Sequence, residues 1–167
     1  VGGVAGLAGR LTGAAAALLR ASLVAATTVM LLAIFYQVVM RYLFLRAPPW
    51  SEELAVLMFS WATLGGLALG VREGFHVALT LLPERLPPPA RRVLEAAIHL
   101  LVAGLGAYLA WSGLRFLEIT SGSTSAAMEY PIEILNAMAP IAGALICLFA
   151  LERLLLGAPA AAEAPTP

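Results

Sequence analysis

Arg41 stands just before two adjacent carboxylates, Glu52 and Glu53, across the short turn-forming stretch Ala47-Pro48-Pro49. Carboxylates beside a long apolar run are suited to proton exchange, to ion pairing with Arg41, or to binding a partner's cation, because charge next to hydrocarbon is costly without compensation. A second constellation is Arg91, Glu95 and His99, each four residues apart. On a helix this spacing gives an Arg91–Glu95 ion pair, and it sets His99 within reach of Glu95 for a proton relay. Gln37, four residues before Arg41, carries an amide suited to a hydrogen bond across a helix interface. The only histidines are His76 and His99, and the single cysteine is Cys147. That set offers no disulfide and no metal-ligand cluster, so neither a metal nor a cofactor is expected.

These residues must be carried by membrane helices. The 167-residue chain is 61% hydrophobic, with a mean hydropathy of +0.91; a soluble domain is nearer about 45–50% apolar. All ten basic residues are Arg and all ten acidic residues Glu, and the net charge is zero, which points to no nucleic-acid partner. A spanning helix needs about 20 mostly apolar residues. Four segments qualify, at about 18–44, 52–73, 91–117 and 132–156. The fold class expected is therefore an all-α polytopic membrane protein with four transmembrane helices. The first span is too long for a signal-peptide core. The Gly/Ala-rich segment 1–17 is expected to be disordered or a frayed interfacial helix, and the Ala/Pro-rich tail 157–167 to be disordered.

Arginine distribution orients the spans. With the N-terminus cytoplasmic, Arg10, Arg20, Arg72, Arg85, Arg91, Arg92 and Arg153 lie inside, and Arg41, Arg46 and Arg115 outside. Both termini are thus expected in the cytoplasm.

In the second span, Ser51 is the expected N-cap, Glu52 and Glu53 occupy the first turn where the helix dipole favours negative charge, and Gly74 suits the position past the end. Glu53, Ser60, Thr63, Gly66 and Gly70 fall near one face, and this mix of carboxylate, hydroxyls and glycines marks a face that touches protein. In the first span, Ala33, Gln37 and Arg41 form a matching stripe; Arg41 has the choice of snorkelling to the surface or pairing with Glu52, Glu53 or a partner. Gly104, Gly106 and Gly113 predict close helix contact in the third span. Pro140 predicts a kink in the fourth, with Asn136 satisfying freed groups or reaching a neighbouring helix. Phe75, Val77, Leu79 and Leu81 alternate with period two, which predicts an extended segment along the membrane surface.

Together these elements resemble the small membrane subunit (the Q-type small permease) of tripartite ATP-independent periplasmic (TRAP) transporters. The resemblance rests on Val39-Met40-Arg41-Tyr42-Leu43-Phe44, on Trp50-Ser51-Glu52-Glu53-Leu54, on Gly65/Gly66, on Arg72-Glu73-Gly74-x-His76, and on Pro131 with Pro140. It covers about residues 18–156. The chain departs from the family at Ala78 and Thr80, where charge is common, and at Glu133 and Asn136, where aromatics are usual. The resemblance implies a non-enzymatic scaffold in the bacterial inner membrane. Its implied partners are a large TRAP membrane subunit that carries the substrate and sodium sites, and a periplasmic solute-binding protein that delivers an organic acid. It also marks Trp50, Arg72 and His76, beside the residues above, as candidates for helix or subunit contacts.

Two other functions compete. An independent proton-coupled transporter or exporter wants a carboxylate in mid-membrane, yet every Glu lies near a span end. A haem-bearing membrane anchor wants two inward histidines on facing spans, and His76 falls in a loop.

Overall fold

The computed structural model describes residues 2–74 and 87–156. His76, the Phe75–Leu81 alternation and the 157–167 tail lie outside the described residues. The chain forms α1 (Gly2–Phe44), α2 (Pro49–Glu73), α3 (Pro88–Thr120), the single turn α4 (Glu133–Asn136) and α5 (Met138–Leu156). Four stretches are long and apolar enough to cross a membrane: Thr12–Phe44, Pro49–Glu73, Ala90–Thr120, and Glu133–Leu155, which joins α4 to α5.

The helices line up side by side in the order α1, α2, α5, α3. Among the described residues α3 packs on α5 and α4 and touches neither α1 nor α2. The arrangement is a single layer, so α2 and α5 form the centre while α1 and α3 leave most of their apolar surface outward. The core runs along the inner seams through Ala16, Leu19, Ala68, Val71, Ala103, Met138, Ala142, Ile146 and Phe149.

Residues 2–17, expected to be either disordered or a frayed interfacial helix, continue α1 as helix, and Thr12 and Ala16 are buried. The reason is a repeat of small and apolar residues at coiled-coil spacing: Thr12, Ala16, Leu19, Leu23, Ala26, Met30, Ala33 and Gln37. Small side chains let α1 lie close to α2 and, at the terminal end, to α5.

Local signals explain the ends. Pro48 is the α2 N-cap and Pro49 opens the helix, in keeping with proline's fixed φ and missing N–H. Ser51 does not cap α2 as expected; its hydroxyl donates to the Pro48 carbonyl at 2.7 Å inside the first turn. Gly74 does close α2, at φ +84°, with its N–H on the Gly70 carbonyl at 2.9 Å. The fourth span breaks at Ala137, between α4 and α5. Pro140 has no N–H to give the Asn136 carbonyl, and regular bonding resumes with Ile141 N–H to Ala137 at 3.2 Å.

Candidate subunit interface

At the end of the layer away from the termini, Glu53 projects from the first turns of α2 toward the α3–α4 connection, residues 121–132. That connection folds back on itself: Ser125 N–H reaches the Tyr130 carbonyl at 2.9 Å and Ile132 N–H the Ser123 carbonyl at 3.0 Å. Its tip then presents three donors to one carboxylate. The Ser125 hydroxyl donates to Glu53 at 2.8 Å, and the backbone N–H groups of Ala127 and Met128 do so at 2.8 and 2.9 Å. An ionised carboxylate accepting such bonds is among the stronger polar contacts available. Glu53 is therefore a clamp on the loop tip. Of the choices open to Arg41, pairing with Glu52 or Glu53 does not occur: the Glu53 oxygens are engaged by the loop donors, and no carboxylate lies within 4.0 Å of Arg41 among the described residues.

The same loop is fastened twice more. Gly122, at φ +81°, gives its N–H to Glu133 at 2.7 Å, and the Asn136 amide donates to the Thr120 hydroxyl at 3.1 Å. Asn136 thus bonds to the neighbouring helix, one of the two roles expected of it. Tyr130 packs beside the clamp. Burial first, and then the negative charge of Glu53, hold its phenol above the ordinary value. Trp50 stacks on Tyr36 of α1 with ring centroids 5.4 Å apart, the position of an interfacial aromatic anchor.

The terminal end is held by charges. Glu152 on α5 accepts from the Thr12 hydroxyl at 2.5 Å and from Arg72 at 3.4 Å. Arg72 lies over the Phe149 ring, 5.7 Å from its centroid. Arg153 donates to the Arg72 carbonyl at 3.1 Å, and Arg20 pairs with Glu73. Arg72 was legible as a candidate; Glu152, Arg153 and Thr12 were not, since single polar residues near helix ends carry no pattern. Arg91 pairs with Glu95 at 2.8 Å as expected, while no hydrogen bond joins His99 to Glu95, so the relay has no geometry here.

Between the ends, glycines divide into two groups. A Cβ on Gly106 would lie 2.7 Å from the Cys147 nitrogen, and one on Gly113 2.7 Å from the Pro140 ring, so α3 and α5 meet backbone to backbone. Gly65 is similarly tight, with Leu23, Leu19 and Met138 around it. Gly66 is not: nothing lies within 4 Å of a Cβ there, nor at Gly104. The stripe expected to touch protein therefore separates. Gly70 is buried and Glu53 is satisfied within the chain, whereas Thr63 is exposed, Ser60 half-buried and Gly66 open. The Ser60 and Thr63 hydroxyls make no hydrogen bond among the described residues. By contrast, Ser22, Thr28, Ser112 and Thr120 all bond back to their own helix.

A family profile, Tripartite ATP-independent periplasmic transporters, DctQ component, matches residues 30–159. The chain belongs to this family. A C4-dicarboxylate TRAP transporter small permease protein, DctQ, of Rhodobacter capsulatus is 32% identical over 106 residues, 59% of this chain and 44% of that protein. A sialic acid TRAP transporter small permease protein, SiaQ, of Vibrio cholerae serotype O1 is 30% identical over 135 residues, 77% of this chain and 78% of that protein. A putative TRAP transporter small permease protein of Haemophilus influenzae is 34% identical over 62 residues, 37% of this chain and 38% of that protein. The chain thus spans less than half the length of the Rhodobacter protein and most of the Vibrio one. It is a small permease component of a TRAP transporter, a multi-pass protein of the bacterial inner membrane, and not an enzyme.

Proposed function

We propose that this small permease is the membrane scaffold of a sodium-driven uptake system for an organic acid. A large membrane subunit carries the transport path, and a periplasmic binding protein delivers the solute. The substrate class is supported by the names of two relatives, which specify C4-dicarboxylates and sialic acid. Both termini lie in the cytoplasm, and the Glu53-clamped loop faces the periplasm.

One observation carries the scaffold reading. Ser60 and Thr63 lie near mid-span on an open face of α2, with unpaired hydroxyls beside the uncovered Gly66. Hydrocarbon cannot satisfy a hydroxyl, and each unmade bond there is costly. A neighbouring helix can supply acceptors, and Gly66 gives it room to approach. Ser60, Thr63 and Gly66 are accordingly the seat for a helix of the large subunit. The carboxylates all stay near span ends, which gives an independent proton-coupled carrier no mid-membrane acid to use.

The reading is tested by reconstituting the large subunit and binding protein in liposomes under a sodium gradient, with and without this chain. Uptake is expected only when all three proteins are present. Solute flux driven by this chain alone, or full uptake without it, would remove the scaffold role.

A further inference from the structure

Between α1 and α2, at the end nearest Glu53, lies an open groove of about 440 Å³ whose walls include Met30, Ile34, Gln37 and Arg41 on α1 and Glu52 and Phe59 on α2. Its polarity is graded with depth. Arg41 and Glu52 stand at the mouth, Gln37 one turn further in, and Ile34, Met30 and Phe59 below. Arg41 and Glu52 face the same space without coming within 4.0 Å of each other. The half-buried Gln37 amide makes no hydrogen bond among the described residues. A cation and an anion held apart over an unpaired amide suit a guest that carries an anion and a cation of its own, a few ångströms apart. The groove's length fits too. From Arg41 to Met30 the helix rises about 16 Å, close to half of the roughly 30 Å hydrocarbon core. That is the depth of one leaflet, the length an acyl chain spans.

We propose that this groove binds a zwitterionic aminophospholipid. The lipid phosphate sits on Arg41 and the Gln37 amide, its ammonium donates to Glu52, and an acyl chain lies along Ile34, Met30 and Phe59. The site occupies the loop-end half of the open α2 face, above the Thr63–Gly66 strip. Its selectivity comes from Glu52. A lipid with a glycerol headgroup offers no cation to that carboxylate, and a choline headgroup offers a cation without an N–H.

Native mass spectrometry of the full chain in non-ionic detergent tests this, with dioleoyl phosphatidylethanolamine, phosphatidylglycerol and phosphatidylcholine added in equal amounts. Wild type is expected to retain the ethanolamine lipid about three- to tenfold over either competitor, the scale of one ordinary hydrogen bond's net contribution. Arg41→Gln should lose retention of all three. Glu52→Gln should keep lipid but lose the preference, and Arg46→Gln, outside the groove, should behave as wild type. Elution as a monodisperse species confirms that each variant is folded. Equal retention of the three lipids by wild type, or an unchanged pattern in Arg41→Gln, overturns the proposal. So does a photoreactive residue at Ile34 that, in the assembled transporter, captures the large subunit instead of lipid.

Discussion

The α3–α5 seam and the open strip on α2 are both built on small residues, yet they do opposite jobs. At the seam, Gly106, Gly113 and Gly143 bring two backbones together, and a Cβ at any of them meets main-chain atoms of the facing helix. On the strip, a Cβ at Gly66 would meet nothing within 4 Å and its hydroxyl neighbours have no hydrogen-bond partner among the described residues. The difference separates contacts the chain completes by itself from contacts it leaves for another protein. The glycine spacing alone does not make that distinction; what lies across from each glycine does.

The comparison breaks most visibly at the seam. Gly143→Leu drives a side chain into the Gly106 and Ala110 backbone, and overpacking of this kind costs about 3 kcal/mol or more. The expected result is loss of the monodisperse species in detergent. Gly113→Ala adds a single methyl against Pro140 and should cost about 1–3 kcal/mol, read as a lower thermal midpoint. Normal stability in both variants would mean that the seam is not closely packed.

The Glu53 clamp belongs with the seam, as a contact completed within the chain. Glu53→Gln leaves the Ser125, Ala127 and Met128 donors facing a weaker acceptor, so hydrogen exchange at the Ala127 and Met128 amides should speed up while exchange in α3 and α5 stays slow. Unchanged exchange at the loop tip would discard the clamp. The variant also tests Tyr130. Its phenol is held above the ordinary value, so its share of stability is intact below about pH 10 and is lost as pH rises through the folded-state value. Removing the Glu53 charge should move the phenolate absorbance transition down toward the ordinary value while leaving the part due to burial.

The strip predicts the smallest effects on the chain itself. Thr63→Val removes an unpaired hydroxyl and should change the isolated chain's stability by no more than about 0.5 kcal/mol, while weakening its association with the large subunit. A large loss of stability in the isolated chain would show that Thr63 serves an internal contact.

Much of the fold is legible in the sequence. The four spans follow from apolar runs of sufficient length, Gly74 from its position past Arg72-Glu73, and the break in the last span from Pro140. The start of α1 is harder to read, because Gly/Ala-rich composition hides the Thr12, Ala16, Leu19, Leu23 repeat. Gly65 and Gly66 differ by one residue, about 100° around a helix, and composition cannot say which of the two faces inward. The partner of Glu53 is least legible. It consists mainly of backbone N–H groups at Ala127 and Met128, and main-chain donors leave no mark in a sequence.

The central claim is that the open α2 strip is the large subunit's seat. It is tested most directly by co-purifying the large membrane subunit with tagged wild type, with Gly66→Leu, and with Gly104→Leu as a control at an equally open position on α3. Wild type and Gly104→Leu are predicted to bring the large subunit with them, and Gly66→Leu to elute folded and alone. Retention of the large subunit by Gly66→Leu at the wild-type level would contradict the account.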